Sequence, residues 1–442
     1  MSHPPLRVGL AGLGTVGAAL VSLIARQRDL LSARCGRAIE ITAVSARDKT
    51  RDRGIDLSAA RWVEDPVALA GDPDIDVFVE LIGGEGDPAK AAVTKALSAG
   101  KAVVTANKAL LAAHGPRLAQ QAEEANVALN FEAAVAGGIP IVKTLREGLA
   151  GNSCERIYGI LNGTCNYILT RMEREGLSFS DCLREAQRLG YAEADPTFDI
   201  EGHDTAQKLS LLASLAFGVK PDADAIYVEG IASIAPEDLR AAEELGYRVK
   251  LLGVAMRTPQ GIEQRVHPTM VPKTSAIAQV MGVTNAVTID ADAAAEITLI
   301  GPGAGGLATA SAVLGDLVDI ARGLRMRPFG VPADDLVTAE KLPMQRHEGG
   351  YYIRLLALDR PGTAAAIARH LADENISLES IVQRRAQNGI HGGDQVTDEA
   401  PPVPVILITY ATTEDAVRRA LAAVEDAGVV AGKPQVIRIE KT

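Results

Sequence analysis

The sequence predicts an α/β chain in three parts: a doubly wound parallel sheet, an α+β domain with a mixed or antiparallel sheet, and a small ferredoxin-like module. Three observations carry that prediction. Short apolar runs alternate with amphipathic helical patterns over residues 1–140, which is how a parallel sheet with helices on both faces is written. From 141 to 323 the alternation gives way to longer helices and strands in less regular order. The stretch 349–442 reads strand, helix, strand, strand, helix, strand.

Residues 6–10 (LRVGL) run straight into AGLGTVG and then AALVSLIARQ, giving strand, glycine turn and helix. In that setting Gly12-Leu13-Gly14-Thr15-Val16-Gly17 is a dinucleotide fingerprint of the Rossmann type. Gly12 permits the tight turn, Gly14 lets backbone approach a pyrophosphate, and Gly17 allows the helix to pack on the strand. Residues 26–37 are polar and predict a loop before the next strand, 39–45. The tip of that strand carries Ser45, Arg47 and Lys49 rather than an acid, so Arg47 is placed to face a ribose 2′-phosphate. NADP is therefore favoured, with NAD use left open by Asp48; the basic pair reads equally well as solvated turn charge. Further strands are expected at 77–81, 102–105 and 128–131, with helical patterns between them.

In the middle part, helices are expected around 141–149, 164–175 and 204–217, and strands near 156–161, 249–256, 262–271 and 287–289. Residues 301–323 (GPGAGGLATASAVLGDLVDIARG) form a second glycine turn feeding a helix. Between them lies the most charged segment, GYAEADPTFDIEGHDTAQK at 190–208. Gly190, Pro196 and Gly202 predict irregular backbone for its acids, and a helix follows from Asp204. Asp204 and Lys208 then stand one turn apart on one helical face. On spacing alone this is either a solvated ion pair or a carboxylate holding a proton-transferring lysine. KAVVTANKALL at 101–111 sets Thr105, Asn107 and Lys108 just past the carboxyl end of a parallel strand, where open α/β sheets bind ligands. Residues 324–348 hold three prolines and many charges and read as a linker. Within 349–442, DRPG at 359–362 is a turn into a helix and 388–404 a loop.

Composition narrows the function. The 442 residues carry 56 acids against 45 lysines and arginines, a net charge of −11 that argues against a nucleic-acid-binding body. No apolar run is long enough to span a membrane and no signal peptide opens the chain, so a cytoplasmic protein is expected. Cys35, Cys154, Cys165 and Cys182 are scattered without zinc spacing and read as reduced thiols.

The run Ala186, Gly190, Asp195-Pro196, Asp199-Ile200, Gly202, Asp204 and Lys208 resembles the signature of the homoserine dehydrogenase family. TANK at 105–108, NGTCNYI at 162–168 and NFEAAVAGGIPIV at 130–142 resemble the same family, and 349–442 resembles an ACT domain. The resemblance implies a Rossmann domain at 1–140 and a catalytic/dimerisation domain at 141–323, whose last helix packs back on the first domain. A linker at 324–348 and an ACT regulatory domain at 349–442 would complete the chain. It implies NAD(P)-dependent interconversion of L-homoserine and L-aspartate 4-semialdehyde, on the route to threonine, isoleucine and methionine. Lys208 becomes the general acid/base with Lys108 and Asp204 in support. Glu193 would hold the substrate amine, with Asp199, Thr164 and Tyr191 around it. The cofactor set becomes Gly12, Gly14, Thr15, Val16, Gly17, Arg47, Thr105, Lys108 and Gly303. Glu132 with the carbonyls of Val135, Gly137 and Ile139 would take a monovalent cation, sodium. Feedback inhibition through the ACT domain follows, with threonine as effector, in a homodimer or homotetramer. The rival readings are another NAD(P)-dependent dehydrogenase of amino-acid metabolism and a catalytically inactive amino-acid sensor.

Overall fold

The structure is a computed structural model that describes residues 3–340, 342, 348–383 and 402–440. Its first sheet holds β1 (Leu6–Ala11), β2 (Ile39–Ser45), β3 (Arg61–Trp62), β4 (Val77–Glu80), β5 (Ala102–Thr105) and β6 (Leu129–Asn130). The order is β3-β2-β1-β4-β5-β6 and every neighbouring pair is parallel. Strands this apolar must be covered on both faces. One face is covered by the helices Thr15–Arg26 and Gly306–Ala321, which share a core with Val8, Leu10, Val77, Val79 and Val104. The helix Gly306–Ala321 thus returns to the first sheet after the chain has left it. The two helices approach closely: a Cβ on Gly306 would lie 2.9 Å from Thr15 Cγ2. Strand order reverses between β1 and β4, and that switch point opens a crevice at the strands' carboxyl ends.

The stretch predicted as a loop at 26–37 contains a helix, Arg28–Cys35, closed by Gly36 in the left-handed conformation. Of its side chains only Leu31 is buried, so it lacks the apolar stripe that would have announced it. Phe179–Arg188 and Pro236–Glu244 are likewise helices with few large apolar residues. In the acidic segment one short helix, Thr197–Ile200, interrupts the irregular backbone.

The second sheet is larger than two separate domains would give. It contains β7 (Cys154–Ile160), β8 (Tyr227–Val228), β9 (Tyr247–Thr258), β10 (Gly261–Pro272), β11 (Thr284–Ala291) and β12 (Ala295–Pro302). It continues through β13 (Glu348–Ala357), β14 (Leu378–Gln383), β15 (Val403–Thr409), β16 (Thr412–Thr413) and β17 (Gln435–Ile439). The path is β12-β11-β7-β9-β10-β17-β13-β15-β14, with β8 on β10 and β16 on β13. The sheet is mixed: β17 and β8 run parallel to β10 and the other pairs are antiparallel. The final module has the βαββαβ order, with helices Thr363–Asp373 and Glu414–Asp426 on one face. The predicted loop at 388–404 lies, up to residue 401, outside the described residues.

The connecting stretch from 324 is packed down over its described part. Phe329 is buried 5.3 Å from the ring of Phe131, and a Cβ on Gly115 would meet it at 2.9 Å. Val337 bridges Val219 in parallel, receiving the Lys220 amide at 2.8 Å.

Candidate active site

At the switch point Gly12 has φ +101°, and a Cβ there would lie 2.3 Å from the Leu81 carbonyl oxygen. A Cβ on Gly17 would lie 2.1 Å from the carbonyl oxygen of Gly12. These two glycines are required by packing, whereas a Cβ on Gly14 would meet only open space. Gly14 caps the helix that begins at Thr15 and Val16, and no side chain caps its first turn. Open space beside first-turn amides is a cradle for a phosphate group.

Arg47, exposed at the tip of β2, lines this crevice together with Arg51 and Arg53. Asp48 is turned back on its own loop: its Oδ1 accepts from the Thr50 amide at 2.8 Å, the Thr50 hydroxyl at 2.7 Å and the Arg51 amide at 3.2 Å. Those donors hold its carboxyl below the usual range. Arg53 donates to the Leu13 carbonyl at 3.1 Å and lies 5.8 Å over the Trp62 ring, tying the loop to the glycine turn. Sequence reasoning stopped at Lys49 and missed Arg51 and Arg53, although RDRG at 51–54 was the visible signal.

Thr105 is fully buried, and its hydroxyl donates to Glu80 at 2.5 Å, so this side chain organises the loop beyond β5. Glu80, at the tip of β4, was also missed. Its carboxylate accepts the Ile82 amide at 2.7 Å and the Gly83 amide at 2.9 Å. Asn107 caps the helix Lys108–Glu124 through the Leu110 amide and donates to the Gly84 carbonyl at 2.7 Å. Lys108 is thereby fixed on a helix start that opens into the neighbouring cleft.

That cleft brings the helix Gly163–Glu175, the acidic segment and the helix His203–Phe217 together with the glycine loop at 301–305. At its base Asp204, only 5% exposed, meets two ammonium groups. Lys208 Nζ donates to Asp204 Oδ2 at 2.8 Å and to the Leu161 carbonyl at 2.7 Å. Lys108 Nζ lies 3.3 Å from Asp204 Oδ1. Burial alone would raise the Asp204 carboxyl, but Lys208 and Lys108 outweigh it and hold it below the ordinary range. Asn162 does more than cap its helix through the Cys165 amide: its Nδ2 donates to Asp204 at 2.9 Å and to Asp199 at 2.8 Å. Burial pushes Asp199 up. Thr164 donates to the Tyr191 carbonyl at 2.6 Å, and the Tyr191 ring meets Tyr167 edge-on at 5.0 Å. Glu193 is exposed on the cleft wall, whereas Asp195 caps the Thr197 amide as turn chemistry.

The loop at 131–139 forms a further wall. Gly137 has φ +57° and sits so close to Gly303 that a Cβ would fall 2.4 Å from its carbonyl oxygen. Gly303 itself presses on Asn285, where a Cβ would lie 2.0 Å from Nδ2. The Ile139 carbonyl accepts the Ile141 amide at 2.8 Å. The Glu132 side chain is buried and fully engaged. Its two oxygens accept the Val142 and Lys143 amides at 2.8 and 2.9 Å, turning the carboxylate onto a helix start. Asp316, from the returning helix, accepts the Glu132 amide at 2.9 Å, and burial pushes it up to about 7.

The wall at 280–285 is held by Lys250, 1% exposed, which donates to Asn166 Oδ1 at 2.9 Å and to the Val280 carbonyl. Burial lowers this lysine to about 7, far beneath its unfolded value of 10.5. Between those values the unfolded chain binds the extra proton, so this group makes stability rise with pH from about 7 upward. In Lys250→Met that rise is expected to vanish, read as the wild-type-minus-variant unfolding free energy at pH 6.5, 8 and 9.5.

Comparison with known proteins gives the same answer over the whole chain. Residues 12–132 match the model of the homoserine dehydrogenase NAD-binding domain, 140–318 that of homoserine dehydrogenase, and 351–426 that of the ACT domain. A homoserine dehydrogenase of Neisseria gonorrhoeae is 46% identical over 447 residues, covering 99% of each chain. The crystal structure of a homoserine dehydrogenase from Thiobacillus denitrificans superposes with TM-score 0.90 at 44% identity, over 99% of this chain and 98% of that one. A hyperthermophilic archaeal homoserine dehydrogenase in complex with NADPH covers 72% of this chain and 98% of its own, with TM-score 0.62 at 27% identity. The chain belongs to the homoserine dehydrogenase family of oxidoreductases, with a nicotinamide-binding N-terminal domain and an ACT domain at its end.

Proposed function

We propose that this chain interconverts L-homoserine and L-aspartate 4-semialdehyde with NADP as the preferred cofactor, on the route to threonine, isoleucine and methionine. The observation that carries the reading is Asp204, buried with Lys208 and Lys108 on its two oxygens. A bound nicotinamide would supply the hydride acceptor or donor, and the open face of Gly14 beside uncapped amides fits its pyrophosphate.

The chain's own residues supply positioning and proton transfer. Lys208 Nζ takes the substrate's hydroxyl proton on oxidation and returns it to the alkoxide on reduction. Asp204 and the Leu161 carbonyl fix where that nitrogen points, and Lys108 adds positive charge where the alkoxide forms. Glu193 takes the substrate ammonium, Asp199 shapes the pocket beneath it, and Thr164 and Tyr191 line the wall. Turnover of homoserine, followed by cofactor absorbance against a panel of other small alcohols and amino acids, tests the assignment. Equal rates across the panel, or none with homoserine, overturn it.

Preference for NADP rests on Arg47 at a crevice where the adjoining acid, Asp48, is committed to its own turn. The NADPH complex of the archaeal relative agrees. Arg47→Ala is expected to raise the KM for NADP about tenfold and leave that for NAD within about twofold, as loss of one charge-assisted phosphate contact predicts. A sodium ion on Glu132 and the carbonyls of Val135, Gly137 and Ile139 is supported by the hard oxygen donors of that loop. The ACT domain supports feedback inhibition by an amino acid, threonine being the effector proposed. A threonine titration that leaves the rate unchanged and releases no heat in calorimetry removes that effector. Among the described residues no helix is long and apolar enough to cross a membrane. A cytoplasmic homodimer or homotetramer is the working expectation.

A further inference from the structure

The ACT domain and the acidic segment of the active site are bridged by one short stretch of chain, Tyr227 to Ile231. On its outer side Glu229 accepts from Arg438 of β17 at 2.6 Å, and the Tyr227 hydroxyl donates to the same carboxylate at 3.1 Å. Arg438 is 2% exposed and forks between this acid and Glu414, which it reaches at 3.0 and 2.6 Å. Its guanidinium also lies 5.4 Å over the Tyr227 ring. A fork of this kind fixes both partners in direction as well as distance.

On its inner side the same stretch presses on the substrate segment. A Cβ on Gly230 would fall 2.4 Å from the Ile200 carbonyl oxygen and 2.7 Å from Glu201 Cα, so the two backbones touch there. The amide of Ile231, a fully buried residue, donates to that same Ile200 carbonyl at 2.9 Å. Gly202, where the helix bearing Asp204 and Lys208 begins, packs against Val228 and Val266. The residue before Ile200 is Asp199, held by Asn162, which also holds Asp204. From Arg438 to the catalytic pair there is thus a continuous series of hydrogen bonds and backbone contacts, with no solvent-exposed loop between.

We infer that Glu229 is a positioning residue for the substrate segment, and that Arg438 of the ACT domain sets its position. This deepens the proposed function and rests on it. The link runs to Asp199 and the start of the Asp204 helix, and not to the glycine loop at 12–17. An amino acid sensed by the ACT domain would therefore act on homoserine binding and leave cofactor binding alone.

The test uses full-length Glu229→Gln, Arg438→Met and the double variant, with KM for homoserine, KM for NADP, kcat and melting temperature measured for each. Glu229→Gln is expected to raise the KM for homoserine about five- to twentyfold, with kcat and the KM for NADP within about twofold. The double variant is expected to be no worse than the more impaired single, because both remove one interaction. Glu229→Asp, keeping the charge, is expected to recover at least half of the lost affinity. An unchanged KM for homoserine in Glu229→Gln, or equal rises for homoserine and NADP, overturns the inference. Should Arg438→Met not fold, Glu229→Gln with Glu229→Asp decides alone. Wild-type protein that fails to oxidise homoserine in the same assay overturns the proposed function instead, so the two failures are distinguishable.

Discussion

Lys208→Ala is expected to lower kcat for homoserine by about 10³-fold, within the range that removal of a general acid/base gives. The lysine is the ammonium group that both touches the buried carboxylate and is aimed by a second acceptor, the Leu161 carbonyl. Truncation removes the proton carrier and leaves Asp204 partnered by Lys108 and Asn162, so the site need not collapse. Two controls separate chemistry from folding. The dissociation constant for NADPH, read by fluorescence, should stay within about threefold, because the hydrogen-bond partners of Lys208, Asp204 and Leu161, lie outside the nucleotide crevice. The melting temperature should move by a few degrees at most. A folded variant with full turnover would remove Lys208 from the mechanism.

Asp204→Asn comes next, at about 10²-fold in kcat. Asparagine keeps the shape and one acceptor oxygen but cancels the charge that faces Lys208 at 2.8 Å and Lys108 at 3.3 Å. Two ammonium groups then stand in one cleft without their counter-ion, and like charges so placed repel in a poorly solvated site. The variant also loses acid sensitivity. Asp204 is held below its unfolded value, so in wild type its contribution to stability is complete at neutral pH and fades as pH falls through the carboxylate range. Urea unfolding at pH 7 and pH 4 reads this directly. The gap in stability between wild type and variant should narrow at the lower pH.

Much of this was legible in the sequence because the relevant signals are local. The glycines at 12, 14 and 17 announce a turn, and the i,i+4 pair Asp204–Lys208 needs only a helix to become a contact. What escaped was whatever depends on burial or on distant chain. Glu80 reads as an ordinary acid at a strand end until Thr105, 25 residues later, is folded against it. Asn162 reads as a helix cap and is one, but its second job requires Asp199 and Asp204 to arrive from another segment. Likewise only the folded chain shows the hydrogen bonds that the Thr105 and Glu132 side chains make. The helix Arg28–Cys35 escaped for a different reason: with one buried residue it has almost no periodicity to detect.

The pairing of β17 with β10 has a consequence for how the molecule is made. Thr269 faces Arg438, so the edge of β10 waits for roughly 170 further residues before that partner exists. At a synthesis rate of about 5–20 residues per second the wait lasts on the order of ten seconds or more. Throughout it, the stretch around Thr269 and Met270 presents open backbone donors and acceptors, the kind of surface on which a neighbouring nascent chain can pair. Tyr227 and Val228, made earlier, already cover the adjoining Arg265 and Val266 and shorten what is left exposed. The newborn enzyme is therefore at its most adhesive late in translation, and its last strand doubles as the plug that ends the risk.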